Sequence, residues 1–559
     1  MQKTCRQCAI KFEITDEDLK FYDKISPIYS GKKHEIPAPT LCPDCRMQRR
    51  LAWRNERKLY HRKCDLCGAQ IISIYSPEKP WKVYCQKCWW SDKWDPTEFG
   101  KEVDFIRPFF EQFAELQLQV PLISINMHDD NVNCDYAHLA SGCKNCYLVF
   151  ASSNNEDCMY TTYLQRCKDV VDCFFIFDSE LCYESVDCYN CYQVQHSQYC
   201  QNCRDSYLLY DCKSCSDCFG CVSLTNKQYH IFNQPYSKEE YFKKLAEIFS
   251  DPQWLTHSKE KFSDLQKRLP HKYYAGISNE NVTGDHISFS KNAQNCFDCT
   301  YLEDCKFCCW LHRAKDCYDH YAWGYPGELG YENQLVGNNF YNVKFSAICG
   351  TNVQDLSYCF YCFSSSKSLF GCIGMRKKEY CILNKQYSKE EYEKLVPKII
   401  EHMKKLGEWG EFFPMSMAPF GYNETVGNEY YPLTKEQALK LGAQWKEEDT
   451  LNRYEGKKAL IPATIGEVQD DIINEILTCE TCAKNYKMVI QELRFYRKLQ
   501  IPIPRNCFNC RYKARFDLRN PRKLWQRNCA NCKAEIHTSY APERPEIVYC
   551  EACYLKEIY

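Results

Sequence analysis

The sequence predicts a mainly β protein in which two small α+β modules flank two narrow β-solenoids with capping helices. Two observations lead to this fold class. Residues 1–90 and 479–559 share one pattern of cysteines, which ends in "VYCQKC" in the first and "VYCEAC" in the second. Between them the cysteines recur on a three-residue step, which neither a helix nor an ordinary strand produces. A chain of 559 residues is long enough for several such domains.

These patterns divide the chain into six segments. In chain order, we predict a double zinc module at 1–90, a connector with a helix at 91–130, a cysteine-rich solenoid with a capping helix at 131–250, a second and degenerate solenoid with a capping helix at 285–405, an acidic aromatic connector at 406–478, and a copy of the first module at 479–559.

The cysteines of the two modules predict metal sites. Each module holds four C-x-x-C pairs, and two such pairs complete the tetrahedral thiolate shell that zinc prefers. The gap between Cys67 and Cys85 is the same as the gap between Cys532 and Cys550, and its length is typical of four-cysteine zinc sites. Joining neighbouring pairs predicts two zinc ions per module and four in the chain; interleaved pairing is the alternative. The predicted ligands are Cys5, Cys8, Cys42, Cys45, Cys64, Cys67, Cys85, Cys88, Cys479, Cys482, Cys507, Cys510, Cys529, Cys532, Cys550 and Cys553.

The segments around these pairs predict the local structure of a module. Residues 46–63, "RMQRRLAWRNERKLYHRK", favour a helix after the second pair, which is a treble-clef-like order. Residues 69–75 and 81–84, "AQIISIY" and "WKVY", predict two strands of one hairpin. The segment "SPIYSGKKH" at 26–34 has no counterpart in the second module, and we expect it to form an inserted loop.

Two of these stretches also carry a resemblance to a known family. The segments "KTCRQCAIKFEITDEDLKFYDKI…PTLCPDCR" and "LTCETCAKNYKMVIQELRFYRKL…RNCFNCR" resemble the family called the probable zinc-ribbon domain. That family has a C-x-x-C pair, an aromatic residue, a helical "FY" segment and then C-x-x-C-R. The whole chain resembles large cysteine-rich bacterial proteins of uncharacterised function built around such ribbons. The resemblance implies zinc at these cysteines and implies no activity.

The charge distribution predicts a polyanionic partner. Residues 1–90 and 479–559 each carry eight more basic than acidic side chains, while the middle of the chain is acidic. Basic and aromatic residues alternate after the second pair of each module, and they suit phosphate contacts and base stacking. We therefore predict RNA or DNA binding; the alternatives are a protein partner and pure scaffolding, in which the arginines neutralise the zinc thiolates. The predicted nucleic-acid-binding residues are Arg46, Arg49, Arg50, Arg54, Arg57, Lys58, Arg62, Arg511, Lys513, Arg515, Arg519, Arg522, Lys523 and Arg527.

The middle of the chain predicts the solenoids. Residues 134–221 contain 15 cysteines, each a multiple of three from every other. Six of them recur at a constant 15-residue spacing, which predicts 15-residue coils with the cysteines stacked in columns inside a thin rod. We interpret these cysteines as small apolar core residues; metal or iron–sulfur centres and disulfides are the alternatives. The residues before them would stack at a coil corner, as turn residues or as a cation site: Asp157, Asp172, Asp187, Asn202 and Asp217.

A second repeat ends each solenoid. Residues 371–395 repeat the end of the first solenoid 151 positions later. Both copies contain "SKEE", at Ser237–Glu240 and Ser388–Glu391, which is a capping box that predicts a helix. The second solenoid therefore occupies residues 285–381, and its register breaks around "GYPGELGYENQLVGNN".

The sequence gives no sign of an enzyme. It contains no HExxH, G-x-S-x-G, Walker A or dinucleotide motif, and we interpret His128, His138 and His196 as structural. No run of about 18 apolar residues and no apolar signal region occur, which predicts a cytoplasmic chain whose cysteines stay reduced or bind metal.

We therefore predict a non-enzymatic zinc-binding scaffold that binds nucleic acid through its terminal modules. A protein–protein interaction scaffold is the first alternative, and a metal or redox carrier using the solenoid cysteines is the second. If the duplication reflects a pseudo-twofold arrangement within the chain, the two modules meet in one clamp.

Overall fold

The computed structural model describes residues 1–127, 130–251, 253–447, 454 and 458–558. The fold is mainly β, with helices at the two ends and between two stacks of parallel strands. Among the described residues, no helix is long and apolar enough to cross a membrane.

The first module alternates short strands with three helices. Of the helix predicted over 46–63, only the first part forms, and it ends at Leu51. Asn55 lies beyond this end, where its side-chain amide donates to the carbonyl of Ile74 (2.9 Å). The elements are β1 (Gln2–Thr4), β2 (Lys11–Glu13), α1 (Asp16–Ile25), β3 (Ile28–Tyr29), β4 (Lys32–Lys33), α2 (Pro43–Leu51), β5 (Tyr60–Lys63), β6 (Gln70–Ser73), β7 (Val83–Tyr84) and α3 (Gln86–Trp89).

The hairpin prediction for this module was wrong in its pairing. β6 pairs with β5, in antiparallel register Tyr60↔Ser73, rather than with β7. β7 instead pairs in parallel with β8 (Leu122–Ile123), which lies in the connector. The inserted segment at 26–34 forms the β3–β4 hairpin. The sequence between β6 and β7 is typical of a turn, and for this reason the two strands were expected to form a hairpin. In the structure β6 forms its hydrogen bonds with β5, which is nearer in sequence.

The connector and the first stack follow. The connector contains a 3-10 helix, Pro96–Phe99, and α4 (Phe109–Gln119), which begins directly after Pro108. The strands of the first stack are β9 (His138–Ser141), β10 (Tyr147–Ser153), β11 (Met159–Gln165), β12 (Phe174–Phe177), β13 (Val186–Tyr189), β14 (Tyr192–Gln195), β15 (Arg204–Tyr207), β16 (Ser216–Phe219), β17 (Gln228–Ile231) and β18 (Gln234–Pro235).

The strands of the first stack form two sheets, β9–β13 and β14–β18, and strands that pair in parallel are offset by twelve positions, so the prediction of 15-residue coils was wrong. Phe150 lies opposite His138 on one side and Thr162 on the other, and every pair except the terminal β17–β18 hairpin is parallel. Residues on a three-residue step adopt left-handed backbone, for example Asn145 (φ 52°) and Leu148 (φ 51°). One such residue at every third position gives four of them between a position and its partner on the next paired strand. Cysteine spacing alone cannot separate an offset of 12 from one of 15, because both are multiples of three.

The interior of the first stack consists of the residues on the predicted three-residue step. All 15 of its cysteines are buried there, together with residues such as Val149 and Leu164. Their thiols donate to backbone carbonyls, as Cys212 Sγ does to the carbonyl of Tyr210 (3.5 Å). The predicted stack of acidic residues, Asp157 above Asp172, does not form, because paired positions are twelve apart rather than fifteen. Asp157 lies beside Asn145, whose side-chain amide donates to it (3.2 Å).

The second stack explains where the sequence register breaks. Its early strands keep the offset of the first stack, since Thr300 pairs with His312. Further on, Ala314 pairs with Gly327 and Gly327 with Phe340, which lengthens the offset by one position. These paired positions are thus one residue more than a multiple of three apart, and each such pair shifts the three-residue step of the interior residues by one position. The strands are β20 (Gly284–Ser288), β21 (Lys291–Gln294), β22 (Cys296–Lys306), β23 (His312–Tyr321), β24 (Gly327–Val336), β25 (Phe340–Lys344), β26 (Ala347–Cys349), β27 (Gln354–Ser357), β28 (Lys367–Phe370), β29 (Glu379–Ile382) and β30 (Lys385–Gln386).

Helices close both stacks. The two predicted capping boxes are present, since Ser237 and Ser388 each accept from the backbone N–H three residues on. The helices after the stacks are α5 (Lys238–Phe249) and α6 (Trp254–Arg268), then β19 (His271–Lys272), and after the second stack α7 (Lys389–Lys405), α8 (Val426–Tyr430) and α9 (Lys435–Lys440). Further 3-10 helices lie at Met415–Met417, Tyr422–Glu424, Ile465–Glu467 and Asp470–Asn474.

The second module repeats the first. β34 (Glu535–Thr538) pairs with β33 (Trp525–Asn528), and β35 (Val548–Tyr549) pairs in parallel with β19, as β7 does with β8. Each module thus pairs with a short strand that precedes a stack in the chain: the first module with β8 before the first stack, and the second module with β19 before the second stack. Its elements are β31 (Leu477–Thr478), β32 (Asn485–Tyr486), α10 (Ile490–Leu499), α11 (Phe508–Phe516), β33 (Trp525–Asn528), β34 (Glu535–Thr538), β35 (Val548–Tyr549) and α12 (Glu551–Ile558).

Candidate metal centres and the basic helices

Four groups of four cysteines form the candidate metal centres. In each group all four Sγ atoms lie within 4.8 Å of one another. Four thiolates around one metal at about 2.3 Å stand roughly 3.8 Å apart. The Sγ–Sγ distances across the groups match this: Cys8–Cys42 3.6 Å, Cys67–Cys85 4.0 Å, Cys482–Cys507 3.7 Å and Cys532–Cys550 3.7 Å.

The grouping follows sequence order. The centres consist of Cys5, Cys8, Cys42 and Cys45; Cys64, Cys67, Cys85 and Cys88; Cys479, Cys482, Cys507 and Cys510; and Cys529, Cys532, Cys550 and Cys553. Interleaved pairing is therefore absent from these centres. Four thiolates fill a tetrahedral shell, so each centre has the ligand set of a closed structural site.

The first pair of each centre sits in a tight turn. The N–H of the fourth residue after the first cysteine donates to that cysteine's carbonyl, as Lys533 does to Cys529 (3.0 Å). The donating residue has left-handed backbone in all four turns, at Ala9, Gly68, Ala483 and Lys533. Because only one of the four is glycine, the C-x-x-C spacing marks this turn in the sequence better than glycine does.

The second pair of each centre begins a helix. α2, α3 and α11 start directly after Cys42, Cys85 and Cys507, and α12 starts after Cys550. A helix N-terminus presents unpaired N–H groups and positive dipole, which stabilise thiolates. Backbone N–H groups also reach the first pair: Cys550 N–H donates to Cys529 Sγ (3.3 Å).

Backbone hydrogen bonds favour the thiolate form of the first cysteine in three of the centres, whereas burial and the neighbouring thiols raise the pKa of Cys88 and Cys553 to about 12. Burial raises the pKa of the Cys529 thiol, but the N–H groups of Cys550, Cys532 and Asn531 lower it more, to about 6. The pKa of Cys64 falls to about 7 in the same way, against the opposing effect of burial. A metal binds deprotonated thiols, so the folded turns are prepared for it.

The stack cysteines are arranged differently. Within the described ranges, the only groups of three or more Cys, His, Asp or Glu that converge on one point are the four centres of the modules. Neither His138 nor His196 belongs to these centres: His138 is buried and His196 is partly exposed, while His128 lies outside the described residues.

The predicted nucleic-acid-binding arginines of the first module have internal partners. Arg46, Arg49 and Arg50 lie on α2, and their guanidinium groups pair with carboxylates of the second stack and its connector. The shortest contacts of the six arginines with carboxylates are Arg46–Asp319 2.8 Å, Arg49–Glu411 2.6 Å, Arg50–Glu332 2.9 Å, Arg54–Glu56 2.5 Å, Arg57–Glu429 2.6 Å and Arg62–Asp65 3.1 Å.

The second module places its arginines in the same way, against the first stack. Arg511 and Arg515 lie on α11 and share Asp172, which has no exposed surface. Arg519 and Arg522 reach Asp298 of the second stack, and these guanidinium groups outweigh burial and lower the pKa of that carboxyl. The contacts are Arg511–Asp172 3.1 Å, Arg515–Asp172 3.0 Å, Arg519–Asp187 2.8 Å, Arg522–Asp298 2.8 Å and Arg527 to the carbonyls of Ala541 and Glu546 at 3.3 Å.

Sequence reasoning missed the carboxylate partners. Asp172 and Asp187 were singled out as turn residues or as part of a cation site, and Asp319 and Glu332 were not singled out at all. The available signal was the charge split itself, since acidic stacks between basic modules are complementary within one chain. The predicted lysines lie at the surface: Lys58, Lys513 and Lys523 are exposed, and Lys513 pairs with Asp517 (2.8 Å).

The two modules also contact each other. The Arg57 guanidinium lies 3.4 Å from the ring centroid of Tyr512. Both residues share Glu429 of α8: Arg57 Nη2 donates to Oε1 at 2.6 Å, and the Tyr512 hydroxyl donates to Oε2 at 3.1 Å. The connector at 406–478 thus supplies the carboxylate that lies between the modules.

Comparison with known proteins adds no relative. No protein-family model matches the chain, and no curated protein matches it. The cysteine ligands of the candidate centres are those that the zinc-ribbon resemblance implies, and the comparisons give no further support for that family.

Proposed function

We propose that this chain is a non-enzymatic scaffold that binds four structural zinc ions. The observation that carries the proposal is the set of four cysteine groups with the sulfur spacing of a tetrahedral site. Tetrahedral four-sulfur sites take zinc or iron, and four protein ligands leave no open position for catalysis. The sulfur spacing fits one ion per centre, and we propose zinc because two C-x-x-C pairs at this separation are typical of four-cysteine zinc sites.

The role proposed for the zinc is to hold the basic helices against the stacks. α2 carries both Cys45 and Arg50, and α11 carries both Cys510 and Arg515. A metal at the start of each helix fixes its position, and the arginines further along then reach the buried carboxylates of the stacks. We infer that each module is treble-clef-like and that each stack is a solenoid whose coil length equals the offset between its paired strands.

The contacts favour a protein partner over a nucleic acid. Eleven of the predicted nucleic-acid-binding residues are arginines, and their contacts are with groups of this chain. A phosphate would have to compete with these partners. Of the predicted binding residues, the three lysines are exposed to a polyanion. Their combined positive charge is smaller than the excess of eight basic side chains that each module has in the sequence.

The first test is metal content. Mass spectrometry under native conditions and elemental analysis should find four zinc ions per chain, and the protein should be colourless. Iron with visible absorption would support the redox carrier instead, and fewer than four ions would contradict the proposal.

The second test decides between the partner classes. Binding to labelled single-stranded RNA and duplex DNA should be weak and should not respond to single substitutions of the buried arginines that leave the protein folded. Tight binding whose affinity falls steeply with salt, and which is lost in a Lys58→Glu, Lys513→Glu and Lys523→Glu triple variant, would favour nucleic acid.

A further inference from the structure

The ends of the two stacks have the same local structure. Asn384 exchanges hydrogen bonds with the backbone of Ile373, at 2.7 and 2.8 Å, and Asn233 does the same with Val222, both at 2.9 Å. The terminal hairpins also match, since Ile382 pairs with Lys385 as Ile231 pairs with Gln234. These positions are related by the repeat found in the sequence, 151 positions apart.

A segment of this chain covers the end of the second stack. Residues 95–102 lie along the hairpin: Lys378 Nζ pairs with Asp95 (2.8 Å), and the Asn384 side chain donates to the carbonyl of Pro96 (3.0 Å). Lys101 N–H donates to the carbonyl of Leu383 (3.0 Å). Under this cover Leu383 and Asn384 have no exposed surface.

One position of the covering segment requires glycine. A Cβ on Gly100 would lie 2.8 Å from the carbonyl oxygen of Asn384 and 2.8 Å from the Cα of Lys385. Real Cβ atoms do not approach backbone this closely, so the segment reaches the hairpin only without a side chain there.

The end of the first stack lacks such a cover within the part of the chain that the structure describes. The second module covers this stack as far as Tyr554, which contacts Asp211 and Ser223. Beyond it, Lys261 of α6 lies over the ring of Phe232, with its Nζ 5.9 Å from the ring centroid. Lys227, the equivalent of Lys378, is exposed, and Phe232 and Asn233 remain partly exposed. Two contacts at the covered end have no equivalent here: Arg376 donates to the carbonyl of Trp94 (3.2 Å) and Lys385 pairs with Glu102 (2.6 Å), whereas Thr225 and Gln234 occupy the matching positions.

We propose that this end of the first stack, formed by Lys227, Phe232 and Asn233, binds an extended peptide segment of a partner protein. The segment places an aspartate against Lys227, a backbone carbonyl against the Asn233 amide and a glycine over the hairpin. Its own counterpart, residues 95–102, is already held on the second stack. This inference rests on the proposed scaffold function and names the class of partner.

The test uses a synthetic peptide of residues 94–102, "WDPTEFGKE", and the full chain with its metal content verified. A zero-length carbodiimide reagent joins a carboxylate to a lysine that it contacts. We expect a crosslink between the peptide aspartate and Lys227, located by mass spectrometry, and at least a tenfold lower yield with a peptide carrying Gly100→Val.

Two protein variants complete the test. Lys227→Gln should abolish the crosslink, and Lys378→Gln, its matched control on the covered stack, should leave it. No crosslink at about 1 mM peptide, or a crosslink that follows Lys378, would overturn the proposal. Four zinc ions in a sample without the crosslink would reject this site alone, whereas missing zinc would reject the scaffold function.

Discussion

Arg50 and Asp319 form an ion pair of 3.1 Å in which neither side chain has any exposed surface. It joins α2 of the first module to the second stack. The equivalent pair in the second module is Arg515–Asp172, at 3.0 Å, with exposed fractions of 1% and 0%. The modules are therefore attached to the stacks by buried charges, a strong constraint on position, because an unpaired buried charge is costly.

Loss of one partner should reveal this cost. We expect Arg50→Met to lower the free energy of unfolding by about 3 kcal/mol, because the buried carboxylates of Asp319 and Glu332 each lose one cation and keep only Arg46 and Arg49 beside them. Urea unfolding measures the change. Lys513→Met is the control, since Lys513 is exposed and should change stability by at most about 0.5 kcal/mol. Equal effects of the two substitutions would contradict a buried role for Arg50.

Removal of the metal should separate the modules from the stacks. Chelation takes away on the order of 10 kcal/mol of binding free energy from such small sites, so the helices of the modules should unfold. The β signal in circular dichroism should persist, because the stack cysteines are not gathered into a metal centre in the described structure. Loss of the β signal together with the helices would show that the stacks also depend on metal.

The two classes of cysteine should respond differently to substitution. Cys200 lies inside the first stack, where its thiol donates to the carbonyl of Gln198 (3.4 Å), and Ser197 nearby makes the same bond to Gln195 (2.8 Å). Cys200→Ser should therefore keep four metal ions and cost roughly 1 kcal/mol. Cys532→Ser should lose one ion. Metal loss in Cys200→Ser would contradict the core role of the stack cysteines.

Buried histidines make stability depend on pH. Burial lowers the pKa of His138 to about 3, of His320 to about 3 and of His312 to about 4. In the unfolded chain each would titrate near 6.5, so between about 6.5 and 4 the unfolded state binds more protons and stability falls as pH falls.

The expected slope is up to about 1.4 kcal/mol per pH unit for each of these histidines. Urea unfolding between pH 7.5 and 5.5, with metal content followed in parallel, measures it. His138→Asn should reduce the slope by about one proton, since it removes one of the three groups. A slope unchanged by His138→Asn would show that folding does not lower the pKa of this histidine.

The sequence by itself determined the ligands of the metal centres and the residues that face the stack interior. A C-x-x-C pair is a local turn, so Cys529 and Cys532 converge whatever the rest of the chain does. The three-residue step is also local, because each corner is one residue with left-handed backbone. The capping boxes at Ser237 and Ser388 were confirmed for the same reason.

Only the tertiary structure decided the offset between strands and the role of the arginines. An offset is set by hydrogen bonds between strands such as β10 and β11, and cysteine spacing is compatible with any multiple of three. Whether Arg50 meets a phosphate or Asp319 depends on which distant segment packs against α2. These two residues are brought together by the fold, since opposite charges far apart in sequence attract only once the chain has placed them side by side and removed the water between them.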